Sequence, residues 1–178
     1  MSAPSLATPG GLVRAAGFEG ELATLDFDIT ESRKNESATA ILFGRAVARG
    51  ASGGCKPPAG STDIIIGLSR RAPVTAPAFA SDNSTVNYPQ NTLVPVLKDG
   101  FMYCIPTEDV RDGDQVLCSA DGVGTLMGTK GGAAGSTRLV VTGAVWQADV
   151  EATTNVISAN TIGIVRISGP AEIATITT

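Results

Sequence analysis

Apolar and polar residues alternate strictly through Leu25-Asp26-Phe27-Asp28-Ile29-Thr30. That pattern predicts a half-buried strand, ended by the charged stretch Glu31–Ser37 as a loop. Ala38–Ala48 is mostly apolar and reads as one buried strand, with Gly44 marking a bulge or a close backbone approach. Arg49–Ser61 holds four glycines and two prolines and reads as a surface loop without a strand. Asp63–Leu68 is a short continuous apolar run rich in β-branched residues, the signature of a strand buried on both faces. Arg70–Pro89 reads as a second long loop. Two alternating runs, Asn91–Leu97 and Phe101–Ile105, flank Lys98-Asp99-Gly100. Asp-Gly in that setting predicts a hairpin with a type I′ turn, and Pro95 predicts an edge or a bulge in its first strand.

Further along, Thr107–Gly113 reads as an acidic turn, and Gln115–Cys118, Arg138–Asp149 and Thr161–Ile167 read as strands, with Ala171–Thr177 as a candidate last one. Ser119–Ser136 is glycine-rich and reads as a flexible hairpin or protruding loop. A long 3.6-residue period is missing throughout; Glu108–Val110 would make at most one helical turn. The expected fold is all-β: a small β-sandwich or β-barrel over residues 21–178, with long Gly/Pro-rich loops. Residues 1–20 read as an extended N-terminal arm in which Leu12, Val13 and Phe18 are isolated apolar anchors. Phe43, Ile65, Leu93, Trp146 and Cys104 are expected in the core.

Composition sharpens this picture in two places. The 178 residues are 43% hydrophobic but only 17% charged, against a typical charged share of about 25%. A chain that buries surface in an assembly needs fewer charges than a free monomer, so the deficit points to assembly. The net charge of −4 and the missing basic stripe argue against a nucleic-acid binder. Three cysteines, Cys55, Cys104 and Cys118, form no CxxC pair and read as reduced thiols of a protein made in cytoplasm. Ser2–Gly11 has neither a basic start nor a long apolar run, which predicts no secretory leader. Without 18 consecutive apolar residues, no membrane span is expected.

Candidate chemistry is thin. The chain has no histidine, which removes Ser-His-Asp and Cys-His nucleophile systems and the histidine-based zinc and iron sites. Gly50-Ala51-Ser52-Gly53-Gly54 fits G-x-S-x-G but lacks both the strand–turn–helix setting and a histidine base. The glycine-rich Gly122–Gly135 stretch lacks Gly-Lys-Ser/Thr and the dinucleotide spacing. Glu108, Asp109, Asp112 and Asp114 do not have the spacing of a calcium loop and read as a solvated turn. No catalytic residue, cofactor or metal is expected. A carboxylate-only glycosidase stays open on sequence alone, although two Tyr and one Trp offer little for sugar stacking.

Several segments, taken in order, resemble the capsid cement, or head decoration, proteins of tailed bacteriophages. They are Gly17–Ala23 (GFEGELA), Ile41–Val47 (ILFGRAV), Ile65–Arg70 (IIGLSR), Leu93–Cys104 (LVPVLKDGFMYC), Asp112–Leu117 (DGDQVL) and Gly143–Trp146 (GAVW). The long Arg70–Pro89 loop and the glycine-rich Gly124–Gly135 insertion depart from that pattern. The resemblance implies a non-enzymatic structural protein on the outer surface of the virion head, made in the host cytoplasm. Its implied partners are the major capsid protein and further copies of itself, as a dimer or trimer. Leu12, Val13 and Phe18 are then the expected contact residues. The alternative reading is a β-rich carbohydrate- or receptor-binding module of a phage tail or fibre.

Overall fold

A single twelve-residue strand, Leu93–Cys104, runs where the hairpin is predicted, and the rest of the molecule is arranged around it. The structure, a computed structural model, describes residues 17–23, 28–71, 87–129, 137–148 and 155–169. In chain order the strands are β1 (Ile29–Lys34), β2 (Ile41–Leu42), β3 (Ala46–Arg49), β4 (Cys55–Lys56), β5 (Ile65–Ser69), β6 (Asn87–Tyr88) and β7 (Leu93–Cys104). They continue with β8 (Val110–Arg111), β9 (Gln115–Ser119), β10 (Leu126–Met127), β11 (Arg138–Gln147), β12 (Val156–Ile157) and β13 (Gly163–Ile167). Among the described residues there is no helix, and the fold is all-β.

The main sheet has the order β10-β9-β11-β13-β7-β5-β3-β4, with β1 also paired to β7. It curls into a half-barrel, and each end is tied back. Leu126 of β10 bridges Pro106 just past β7, with the Thr107 N–H donating to the Leu126 carbonyl at 2.9 Å. Cys55 of β4 bridges Asn35 just past β1, with the Glu36 N–H donating to the Cys55 carbonyl at 2.9 Å. These ties cover the edges of the short terminal strands, where unpaired N–H and C=O groups would otherwise invite other chains.

Two cores result. The larger gathers Met102, Cys104, Val116, Cys118, Leu126, Leu139, Val141, Trp146 and Val165 with one face of β3 and β5. The smaller gathers Ile41, Phe43, Val47, Ile66, Tyr88, Val94 and Val96 on the opposite face. β5 therefore sends Ile65 and Leu68 to one core and Ile66 to the other. This is why Asp63–Leu68 shows no alternation: both faces of its strand are buried.

The predicted hairpin is replaced by a bulge. A type I′ turn needs φ > 0 at both central residues, and here Gly100 alone has it, at φ 127. The β1–β7 register steps from Thr30↔Leu97 to Ile29↔Asp99, so that Lys98 is the extra residue of the bulge. The extra residue flips the side-chain phase: Leu97 faces the larger core, and so do Met102 and Cys104 at an odd separation from it. Each half of β7 can then serve a different stretch of sheet, β1 and β5 on one side of the bulge and β13 on the other. Gly143 does the same job in β11. Its φ of 72 lets both Val141 and Ala144 point inward, and its carbonyl accepts the Ser168 N–H at 3.0 Å.

On its β5 side Pro95 lies one position past the last paired residue, Val96, so that face is the end of the β5–β7 ladder. It lies inside β7, opposite Ser32, and accepts the Arg70 N–H at 2.7 Å through its carbonyl. The donor that proline lacks is replaced by the Tyr88 hydroxyl, which donates to the Arg70 carbonyl at 2.5 Å.

Other expectations need correction. The charged stretch after Thr30 is strand, not loop: β1 runs through Glu31 and Arg33, which form an ion pair at 2.7 Å, and Glu31 also pairs with Lys98. The charges suit an exposed edge strand, which they protect from pairing with other chains. Ala38–Ala48 is two strands, β2 and β3, separated by a turn at Gly44, whose φ is 66. Arg49–Ser61 contains β4. Leu93 is 60% exposed and lies outside the core, whereas Phe43, Ile65, Cys104 and Trp146 are buried. The Leu25–Phe27 part of the first predicted strand, the Ala171–Thr177 strand and most of Arg70–Pro89 lie outside the described residues.

Candidate docking site

Gly17–Ala23 forms a strap along the C-terminal half of β7. The Gly20 N–H donates to the Tyr103 carbonyl at 2.8 Å, the Tyr103 N–H to Glu21 at 2.9 Å, and the Ala23 N–H to Phe101 at 2.9 Å. Leu22 bridges Met102 in antiparallel sense and packs against the larger core. The Arg71 N–H, just past β5, donates to the Gly20 carbonyl at 2.7 Å. The strap thus adds a short strand to β7 beyond the end of β5. Gly17 lies so close to the Tyr103 ring that no side chain fits there.

Phe18 stands on the outer side of this strap, 47% exposed. The Arg71 guanidinium lies 5.0 Å from the centre of its ring and 5.5 Å from that of Phe43. Phe43 is buried and meets Tyr88 edge-to-face at 5.0 Å. Cation–π contact of this kind holds an arginine in place while leaving the outer ring face open. Beneath it, Glu19 Oε1 lies 3.2 Å from Arg45 Nη2. Neither Glu19 Oε1 nor Arg45 Nε has a hydrogen-bond partner, so this is a Coulombic contact without alignment. Burial pushes the Glu19 carboxyl above its ordinary range, and the Arg45 charge only partly offsets this.

Of the three expected contact residues, only Phe18 lies among those described; Leu12 and Val13 do not. Sequence reasoning missed Glu19, Phe43, Arg45 and Arg71 as a group. In the sequence Phe43 reads as core and Arg71 as a loop residue. The signal available was the small-residue spacing in Gly17–Gly20, which permits the strap to lie flat.

The acidic turn resolves into separate loop-closing contacts. Asp109 accepts the Ala159 N–H at 3.0 Å, Asp112 the Ala148 N–H at 3.0 Å, and Asp114 the Arg111 N–H at 2.7 Å. Glu108 pairs with Arg138 at 3.3 Å. Asp109, Arg111, Asp114, Thr129 and Val156 line a cleft. Among the described residues no group of three or more Cys, Asp or Glu is gathered to hold a metal ion.

The Gly50–Gly54 loop wraps the Glu36 carboxylate, which takes the Ser52 N–H at 3.1 Å and the Gly54 N–H at 2.7 Å. Those bonds, the Ser52 one foremost, hold Glu36 below its ordinary range. All three cysteines are free and buried. Burial lifts the Cys55 thiol to about 11 and Cys118 to about 12, and puts Cys104 well above the ordinary value. None of them is a ready thiolate.

The profile of a family described as "Structural cement protein (E217 gp24/Pam3 gp6)" matches residues 8–168. The chain belongs to this phage cement family. No curated protein matches the sequence. A solved chain of the capsid of Myoviridae phage XM1 shares the fold with a TM-score of 0.60 at 17% identity, covering 92% of this chain and 98% of that one. The family match includes the strap, the Phe18–Arg71–Phe43 stack, the whole β-fold and both bulges. For a phage cement protein the relevant surface is a protein contact, and among the described residues the strap presents an exposed aromatic and a held arginine, types enriched at such contacts.

Proposed function

We propose that this cement protein binds the outer surface of the phage head, bridges neighbouring major capsid protein subunits and stabilises the mature shell. The observation that carries the reading is the family match over residues 8–168. The protein acts without catalysis, as a homo-oligomer (dimer or trimer), after synthesis in the host cytoplasm. Leu12, Val13 and Phe18 are its contact residues. The low charge content supports a protein that buries surface in an assembly. Repetition over a symmetric shell supports strong attachment from modest individual contacts. No observation favours a glycan- or receptor-binding module.

The test is co-sedimentation of the purified chain with mature heads of the source phage that lack it, with bound copies counted per shell. Saturation at a fixed ratio to the major capsid protein supports the reading. An absence of binding overturns it.

A further inference from the structure

The strap Gly17–Ala23 is tied to β7 by three backbone bonds, made by the Gly20, Tyr103 and Ala23 N–H groups, and to Arg71 by a fourth. Beneath it lies a charged contact that does not close. The Glu19 side chain, 22% exposed, fills the space that a side chain at Gly44 would need, and it faces Arg45, whose side chain is 15% exposed. Glu19 Oε1 and Arg45 Nη2 are 3.2 Å apart, yet Glu19 Oε1 and Arg45 Nε each have no hydrogen-bond partner among the described residues. Two charges taken from water without aligned bonds recover only part of their desolvation cost. Glu19 belongs to the strap itself, so lifting the strap returns its carboxylate to water. The one charged contact under the strap therefore favours opening, against the backbone bonds and the packing of Leu22 on the larger core.

We propose that Glu19 makes the strap an acid-tightened latch: Gly17–Ala23 lifts from β7 as a unit, and it lifts more readily while Glu19 is ionised than once it is protonated. Burial holds the Glu19 carboxyl above its ordinary range, and Arg45 only partly offsets this. The closed strap is thus tightest below the ordinary carboxyl value, about 4, and loosens as pH rises through the higher closed-state value. The other groups around Glu19 do not share this sign. Arg45 and Arg71 stay charged throughout. The Cys104 thiol of β7 stays neutral, since burial puts it well above the ordinary value. Glu21 accepts the Phe18 N–H through Oε2 at 3.2 Å, so protonating it weakens the strap rather than tightening it. Lifting frees the Tyr103 N–H and the Tyr103 and Phe101 carbonyls, and parts Phe18 from Arg71. An unpaired β7 edge of this kind is where another extended chain can add.

The experiment is native-state hydrogen exchange on the free full-length chain, followed by NMR from about pH 5 to about pH 8. Opening constants are taken after correction for the intrinsic exchange rate of each amide. The Gly20, Ala23, Tyr103 and Arg71 amides are expected to share one opening constant, larger than those of the Trp146 and Ser168 amides on the far side of the sheet. That shared constant is expected to rise severalfold from the acid to the alkaline end. Glu19→Gln, which keeps the shape and removes the charge, is expected to abolish the rise. Arg45→Gln, which removes the partial offset, is expected to steepen it, and serves as the check should Glu19→Gln fail to fold. A wild-type strap that opens equally at all pH values, an unchanged rise in Glu19→Gln, or strap amides that open no more often than Trp146 and Ser168 overturns the latch. Because the readout is the free chain, each of these results leaves the head-binding reading untouched.

Discussion

The two sides of β7 are built differently. The larger core, under β9, β11 and β13, is almost wholly apolar and centres on Trp146, whose surface is fully buried and whose Nε1–H donates to the Met127 carbonyl at 3.1 Å. The smaller core is ringed by buried polar hubs. Asn35 donates through Nδ2 to Thr39 at 3.1 Å and Tyr88 at 3.0 Å, and accepts from the Ser37 N–H at 2.9 Å. Ser69 donates to the Leu42 carbonyl at 2.5 Å and accepts the Arg45 N–H at 3.0 Å. The apolar side resists by packing; the polar side specifies one geometry, because Asn35 and Ser69 have their partners and few alternatives. The stack that carries Phe18 stands on the polar side, resting on Phe43.

Breaking the apolar side should have the largest effect. Trp146→Ala is expected to lower stability by about 3–5 kcal/mol, as for other large-to-small aromatic core changes; denaturant unfolding checks it. On the polar side, Asn35→Ala removes the amide that bonds the Tyr88 and Thr39 carbonyls and the Ser37 N–H. It is expected to cost about 2–3 kcal/mol, with loosening of the Phe18 region visible as faster hydrogen exchange at Gly20 and Arg71. Gly143→Ala forces a Cβ into left-handed backbone beside the Ser168 carbonyl and is expected to cost about 1–2 kcal/mol.

Acid should discriminate between the two sides with a smaller effect. Glu31, Glu36 and Asp63, all on the polar side, have folded values below their ordinary ones. Lys98 is the main cause for Glu31 and the Ser52 N–H for Glu36; for Asp63, burial raises the value but Lys56 and the Ala59 and Gly60 N–H groups outweigh it. Among the described residues only Asp121, in the β9–β10 loop, behaves so on the apolar side, where burial raises the value but the Val123 and Gly124 N–H groups outweigh it. A lowered carboxylate contributes stability that is complete above its unfolded value, about 4, and drains as pH falls through its lower folded value. Hydrogen exchange should therefore quicken around β1 and β4 before it does in β11 and β13. Glu19 has the opposite sign. Its raised folded value is a penalty absent in acid and present at neutral pH, so Glu19→Gln should leave stability the same or slightly higher at pH 7 and remove that part of the pH slope.

How far the sequence reveals this molecule also differs between the two sides. Two strands of the apolar side, Arg138–Asp149 and Thr161–Ile167, are legible because one face is core and the other is not. Around β7 the same reasoning fails at Lys98-Asp99-Gly100, since a bulge and a hairpin use the same residues and only the flanking strands decide between them. β1 is hidden because its charges are those of a defended edge, which in sequence look like a loop. β4 and β6 are too short to show a period. Phe18 is legible as an anchor, but its support is not: Arg71 and Phe43 lie far apart in sequence and meet through the pairing of β3 with β5, extended by the Gly44 N–H bond to the Ser69 carbonyl at 2.8 Å.

Shell stabilisation itself is tested most directly by the temperature at which heads release their DNA, measured with and without saturating amounts of the protein. The account predicts a higher release temperature that levels off when binding saturates, and a smaller gain with the Leu12→Ser/Val13→Ser chain. An unchanged release temperature at full occupancy would contradict it.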